Sequence, residues 1–468
     1  MRRNSILLIF FVLALIVTAL PASAAEPEMQ YIVQLDTPLP ALMTAETEDA
    51  PVQELSAGRN LYVVKDAELV DLLRQEGMLV YAEPDYPVEL LTEGEVEEIP
   101  LPDQWHLDYL DFSEAEALHC CGQEVRIAVI DSGVQPHSAL KDAILPGYNY
   151  LDNNTDVTDN IGHGTFVAGL IAAQEDGQGL MGAAPMAKII PLKCFDDGKK
   201  TYVSTLCSAI YDAVDRFDFE ILNMSLGVTG YSKTLEAAIR TVTDAGTLVV
   251  AASGNSGNST LYYPAAFSGV IGVGAVDRSG TISSFSTRNE SVLVTAPGRE
   301  ICSTDKNGSW SVNKGTSFST PLVCAVLARL LNVQPLTPEQ AIDLLSRTAT
   351  DLGPEGYDTS YGYGLVNMGA ALRQLLPDAK AFLTTVTVQE TGAVTTLINR
   401  EQEPLSAMCV FATYEDGKFT GLSSQPLHLQ PREETVLSFP EEDGAIKCFL
   451  LSTIETPTPL APSRTYEK

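Results

Sequence analysis

The run Val125-Arg126-Ile127-Ala128-Val129-Ile130-Asp131-Ser132-Gly133 decides the architecture. Its first six residues are apolar except Arg126. That is too short for a helix and lacks the alternation of a half-buried strand, so it reads as a strand covered on both faces. Residues 188–192, 220–224, 247–252 and 269–274 are further runs of this kind. Helical patterns fall between them, for example at 202–215 and 233–245. Strands that alternate with helices build an α/β domain on a parallel sheet. Ligands of such sheets bind beyond the carboxyl ends of the strands, and Asp131 stands where the first strand ends.

The flanks are of other kinds. Residues 28–92 read as a small α+β unit, with strands at 31–35, 61–64 and 79–85 and a helix at 67–75. Residues 93–103 carry Glu93, Glu95, Glu97, Glu98, Pro100 and Pro102 without apolar periodicity, which makes an acidic linker. The α/β domain then covers 104–373. Residues 374–468 alternate like antiparallel strands and read as a β-sandwich-like domain. At the start, Met1-Arg2-Arg3 is basic, and 6–20 is apolar apart from Thr18. Ala22-Ser23-Ala24 then fits a cleavage site, so 1–24 reads as a signal peptide. The apolar run is short for a spanning helix, which needs about 20 residues. A secreted, monomeric chain without a membrane anchor is expected.

The formal net charge of −32 argues against nucleic acid as a partner, because phosphate contacts need Lys and Arg. Residues 26–100 hold 18 Asp and Glu against 3 Lys and Arg, a net of −15, which reads as solubility. None of the eight cysteines forms a Cys-x-x-Cys pattern. Six read as buried free thiols, and Cys409 with Cys448 could close the C-terminal domain in an oxidising compartment.

Three segments carry candidate chemistry. Val129-Ile130-Asp131-Ser132-Gly133 ends a buried strand in a carboxylate, which alone is as well read as a turn-forming Asp. Asp159-Asn160-Ile161-Gly162-His163-Gly164-Thr165-Phe166-Val167-Ala168-Gly169 sets a histidine between two glycines where an apolar helix begins. Asn313-Lys314-Gly315-Thr316-Ser317-Phe318-Ser319-Thr320-Pro321 leads through small residues to a serine at another helix start. Such a serine is by itself more often a cap. Taken together the three change meaning. A serine hydroxyl needs a base to take its proton, and the base needs a carboxylate to fix its tautomer.

The three segments, in the order Asp, His, Ser, resemble the active-site signatures of the subtilase family of serine peptidases, over about residues 104–373. The resemblance implies a subtilisin-like parallel sheet flanked by helices, preceded by a small α+β propeptide at 28–92 and followed by the β-sandwich-like domain. It implies that Asp131 orients the histidine, His163 is the general base and acid, and Ser317 is the nucleophile. Val249-Val250-Ala251-Ala252-Ser253-Gly254-Asn255 resembles the oxyanion-hole strand, with the Asn255 amide as a donor. Asn223-Met224-Ser225-Leu226-Gly227 resembles the strand that pairs with extended substrate, which gives Ser225, Leu226 and Gly227 as binding residues. Ser253 and Gly254 would wall the pocket for the residue before the scissile bond. Tyr262 would sit at its floor, where many relatives carry a small residue, and make it shallow, or its ring could equally turn outward.

Catalysis of this kind requires no cofactor. Residues 174–180 match the length of a loop that holds a structural calcium in subtilisins, with Asp176 as a ligand, but Ala139 stands where relatives place an aspartate. The expected partners are protein or peptide substrates and the chain's own propeptide as inhibitor, joined through Tyr81-Ala82-Glu83-Pro84-Asp85. A catalytically silent binding protein on the same fold is the alternative. A furin-like processing enzyme would need acidic pockets, and none is visible near 225–227 or Asn255. Self-cleavage is expected between about Leu91 and Pro102.

Overall fold

The computed structural model describes residues 29–466 except 40–49, 57, 93–102, 113–114, 116–117, 119, 176–179, 199–200, 377–380, 384–386, 390–391, 402, 416–417, 432, 440–444 and 453–463. The signal-peptide reading and nearly all of the linker therefore lie outside the described residues.

The N-terminal unit holds strands β1 (Tyr31–Leu35), β2 (Val52–Ser56) and β3 (Leu61–Val64), helix α1 (Ala67–Gln75) and strand β4 (Leu79–Pro84). They form one antiparallel sheet in the order β2-β3-β1-β4. One face packs Val33, Leu35, Val52 and Tyr62 against Leu69, Val70 and Leu73 of α1. The other face presents Ile32, Leu55, Leu61 and Val63 to the main domain. Strand β2 escaped the sequence reading for a physical reason. Its register shifts between Glu54 and Ser56, which breaks the two-residue period. After β4 the chain enters strand β5 (Pro87–Leu90), and helix α2 (Trp105–Asp108) follows the linker.

The main domain supplies β6 (Arg126–Asp131), β7 (Tyr148–Asn149), α3 (His163–Ala172), β8 (Lys188–Lys193), β9 (Thr201–Tyr202), α4 (Val203–Arg216), β10 (Ile221–Met224), β11 (Leu226–Gly227), α5 (Lys233–Asp244), β12 (Leu248–Ala252), β13 (Val270–Val276), β14 (Val294–Pro297) and α6 (Thr316–Leu331). Seven strands pair in parallel in the order β14-β13-β12-β10-β6-β8-β7. All five expected strands are among them. Along β6 the side chains alternate. Ile127 and Val129 enter the core shared with α3 and α6, while Ala128 and Ile130 enter the one shared with α4 and α5. Two covered faces are why the sequence shows an apolar run and no alternation.

Beyond residue 376, strands Leu405–Glu415, Lys418–Leu429, Ala445–Leu451 and Arg464–Tyr466 make one antiparallel sheet, and Ala381–Leu383, Thr387–Gln389, Gly392–Asn399 and Glu434–Phe439 make a second. Leu397 and Leu437 of the second sheet meet Leu405, Phe411 and Leu450 of the first in a common core. Cys409 and Cys448 lie in that core, unbonded, with their sulfurs 3.4 Å apart. Among the described residues no helix is long and apolar enough to cross a membrane.

One buried group makes the fold sensitive to acid. His106 in α2 is 1% exposed, and its Nδ1 has no hydrogen-bond partner. Burial lowers its pKa to about 4, against a weaker pull upward from Asp103. The unfolded chain takes up this proton below about pH 6.5, but the folded chain only near 4, so stability is lost as pH falls through that window. The loss from this residue should approach roughly 3 kcal/mol by pH 4. Urea midpoints measured at pH 7 and pH 4.5 should therefore separate less in His106→Leu than in the parent chain.

Candidate active site

Strands β6, β10 and β12 are adjacent and parallel, so their carboxyl ends open at one edge of the sheet. Asp131 closes β6, Ser225 follows β10 and Ser253 follows β12. His163 is the first residue of α3, and Ser317 lies in the first turn of α6. Residues separated by up to 186 positions thus face one cleft because five elements start or end there.

The charged part is enclosed. Asp131, His163 and Ser317 are all buried. His163 Nδ1 lies 2.8 and 2.9 Å from the two Asp131 oxygens. Ser132 donates its N–H to Asp131 Oδ1 at 2.7 Å, and its hydroxyl accepts from Gly164 N–H at 2.9 Å. Asp159 fixes the start of α3. Its carboxylate accepts from the N–H groups of Ile161, Gly162 and Thr165 and from the Thr165 hydroxyl. A carboxylate on the free N–H groups of a helix start is favourable in hydrogen bonding and in charge. His163 Nε2 is buried without a hydrogen-bond partner, beside the ring of Phe318 at 5.4 Å.

Ser317 is held by a consequence of Pro321. Proline has no N–H, so the carbonyl four residues before it loses its helical donor. That carbonyl is Ser317 O, and it accepts from the Ser225 hydroxyl at 2.8 Å. The Ser317 hydroxyl donates in turn to Ser225 O at 2.8 Å. The expected contact from Ser317 to His163 is therefore not made in this state, because the serine hydroxyl has the Ser225 carbonyl as its partner.

The cleft contains a stretch of the chain itself. Strand β5 lies antiparallel to β11, with Leu90 opposite Leu226 and Glu89 opposite Gly227. Its other edge pairs with β9, Pro87 opposite Tyr202 and Val88 opposite Thr201. Leu91 N–H reaches Ser225 O at 3.4 Å. The Leu91 carbonyl accepts from Asn255 Nδ2 at 2.6 Å and from Ser317 N–H at 3.3 Å. Asn255 is oriented for this. Its Oδ1 accepts from Thr316 N–H and Thr316 hydroxyl at 3.0 and 2.8 Å, which leaves its NH₂ for Leu91. Gly315 has φ +149°, and a Cβ there would come within 2.7 Å of Leu91 O. Two side chains hold the N-terminal unit above this strand. Glu83 accepts from Ser232 hydroxyl and from the N–H groups of Lys233 and Thr234 at the start of α5. Asp85 accepts from Ser204 N–H at the start of α4, at 2.9 Å.

Tyr262 points inward. Its ring lies between Gly227 and Gly254, close enough that a Cβ on either would meet ring carbons at 2.9 and 2.2 Å. Ser253 is buried on the same wall. Asp176 lies outside the described residues, and Ala139, buried, gives its carbonyl to Gln174 N–H. Among the described residues no three acidic, histidine or cysteine side chains converge as a metal would need. The sequence reading left the roles of Asp159, Ser132 and Thr316 unassigned. Asp159 lies three residues before the N-cap Gly162, a place with no capping signal in the sequence.

Residues 122–364 match the subtilase family. The chain is 31% identical over 375 residues to the Thermostable alkaline protease of Halalkalibacterium halodurans, a match that covers 79% of this chain and 99% of that one. It is 35% identical over 319 residues to the Minor extracellular protease Epr of Bacillus subtilis, covering 66% of this chain but only 49% of Epr. Alkaline elastase YaB of a Bacillus species is 33% identical over 314 residues, or 67% and 79% of the two chains. The family match takes in every strand of the parallel sheet and the helices that begin at His163 and Thr316. The chain belongs to the subtilase family of serine endopeptidases.

Proposed function

We propose that this subtilase is an exported zymogen whose first substrate is its own Leu91–Thr92 bond, cut by Ser317 with His163 as base and Asp131 as its orienting carboxylate. One observation carries the reading. The Leu91 carbonyl already sits on two donors, Asn255 Nδ2 and Ser317 N–H, while the strand before it fills the cleft.

The chemistry follows from these positions. The Ser317 hydroxyl turns from Ser225 O towards the free Nε2 of His163, which takes its proton as the oxygen bonds to the Leu91 carbonyl carbon. The carbonyl oxygen becomes an oxyanion between Asn255 and the Ser317 N–H. Loss of one such donor typically costs about 2.7–4 kcal/mol in the transition state. His163 then returns the proton to the Thr92 nitrogen as the peptide bond breaks, and water releases the acyl group by the same steps in reverse. Export is supported by the basic, apolar and small-residue pattern of residues 1–24. After the cut, residues 29–91 keep the contacts of Glu83, Asp85 and β5 and act as an inhibitor until degraded.

Expression of the parent chain and of Ser317→Ala tests this directly. The parent should yield two fragments, the larger beginning with Thr92 before any trimming. Ser317→Ala should accumulate whole, since it removes only the hydroxyl's hydrogen bond to Ser225 O, a loss of about 0.5–1.5 kcal/mol of stability. Equal cutting of the variant at the same bond in a protease-free preparation would falsify self-processing.

Tyr262 sets the first subsite in this reading. Leu91 is buried with Cδ1 against Gly227, and the Tyr262 ring occupies the space between the Gly227 and Gly254 walls. Such a pocket accepts leucine and rejects an aromatic ring. Peptides that differ only in leucine or phenylalanine before the cut should differ by about tenfold or more in kcat/KM, favouring leucine. Tyr262→Gly should reverse the order.

A further inference from the structure

The geometry points to an aromatic seat at Gly230 that reads the sixth residue upstream of the cleaved bond. This rests on the proposal that residues 86–91 lie in the cleft as substrate, with Leu91 first and Tyr86 sixth.

The segment is read at alternate positions. Val88 is buried, and Tyr86 and Leu90 are half-buried against the same core, whereas Pro87 and Glu89 are exposed. A strand presents every second side chain to one face, so upstream of Leu91 the side chains at 86, 88 and 90 carry information while those at 87 and 89 are open to solvent. Tyr86 is the furthest of them, and main-chain pairing still holds it. Val203 N–H donates to Tyr86 O at 2.9 Å, one residue beyond the pair of Pro87 with Tyr202. The position of the ring is thus fixed by backbone contacts that any bound peptide in this register would make.

The seat is shaped for a flat group. A Cβ on Gly230 would come within 2.8 Å of Tyr86 Cγ and Cδ1 and 2.9 Å of Cδ2. Three ring atoms at almost equal distance mean that the ring lies face-on against the glycine. The next residue in the chain, Tyr231, is exposed and lies edge-on to Tyr263 and Phe267, so the chain beside the seat offers further aromatic surface. A ring laid on this surface removes apolar area from water, and alanine in its place leaves that area wet.

The test uses the self-processed enzyme and three peptides that share Pro-Val-Glu-Leu-Leu-Thr and are preceded by tyrosine, phenylalanine or alanine. The tyrosine and phenylalanine peptides should be cut with kcat/KM about tenfold above the alanine peptide. Gly230→Val fills the seat. It should bring the two aromatic peptides down to the alanine rate and leave the alanine peptide unchanged. Equal rates for all three peptides on the parent enzyme would overturn the seat, as would a Gly230→Val variant that slows all three alike. Should that variant not fold, the comparison of the three peptides on the parent enzyme decides alone. Failure of the protease reading looks different: none of the peptides is cut, and a fluorophosphonate does not label Ser317.

Discussion

The placement of one carbonyl organises this molecule. Leu91 O rests between Asn255 Nδ2 and Ser317 N–H, and each neighbouring feature serves that contact. Thr316 turns the Asn255 amide the right way. Gly315 leaves room for the passing chain. Pro321 frees the Ser317 carbonyl, which ties α6 to Ser225, and Ser225 O takes the Leu91 N–H. The same residue thus receives the bound chain on its carbonyl and ties α6 through its hydroxyl. A shift of either would be transmitted to the other through about 3 Å of hydrogen bonding.

The parallel sheet is what permits this convergence. Backbone groups at strand ends and helix starts have no partner within their own element. At the carboxyl edge of β6, β10 and β12 such groups gather, and here they are met by side chains or by the bound segment. Asp159 takes the Thr165 N–H in the first turn of α3 and two N–H groups just before it, and Leu91 takes one at the start of α6. The cleft is therefore made from the same unsatisfied groups that any α/β fold must dispose of, with the substrate as one of the ways to do so.

Much of this was legible in the sequence, for identifiable reasons. The five strands showed because burial on two faces leaves an unmistakable apolar run. The cleft residues showed because Gly-His-Gly and Gly-Thr-Ser are locally unusual. Strand β2 did not show, because a bulge hides its period. Neither did the partner of the Ser317 hydroxyl, which depends on a carbonyl 92 positions away. The orientation of Tyr262 was open as well, since an exposed and an inward tyrosine have the same sequence. Only the approach of Gly227 in β11 and of Gly254 just beyond β12 settles which way the ring points.

The acidity of residues 26–100 was read as solubility, and the structure gives part of it a second meaning. Glu83 and Asp85 place carboxylates on the N-termini of α5 and α4, two residues apart on a strand that delivers both. Each cap of this kind is worth about 0.5–2 kcal/mol, too little to hold a separate domain firmly. Within one chain little is needed, because a short tether keeps the effective concentration near the millimolar range. Under the proposed cut of the Leu91–Thr92 bond, that concentration would become the actual one, and the same caps, strand pairs and apolar contacts would hold the unit unaided. In the proposed sequence of events the unit therefore stays on the cleft as an inhibitor through unchanged contacts, and it is degradation of the unit that frees the cleft.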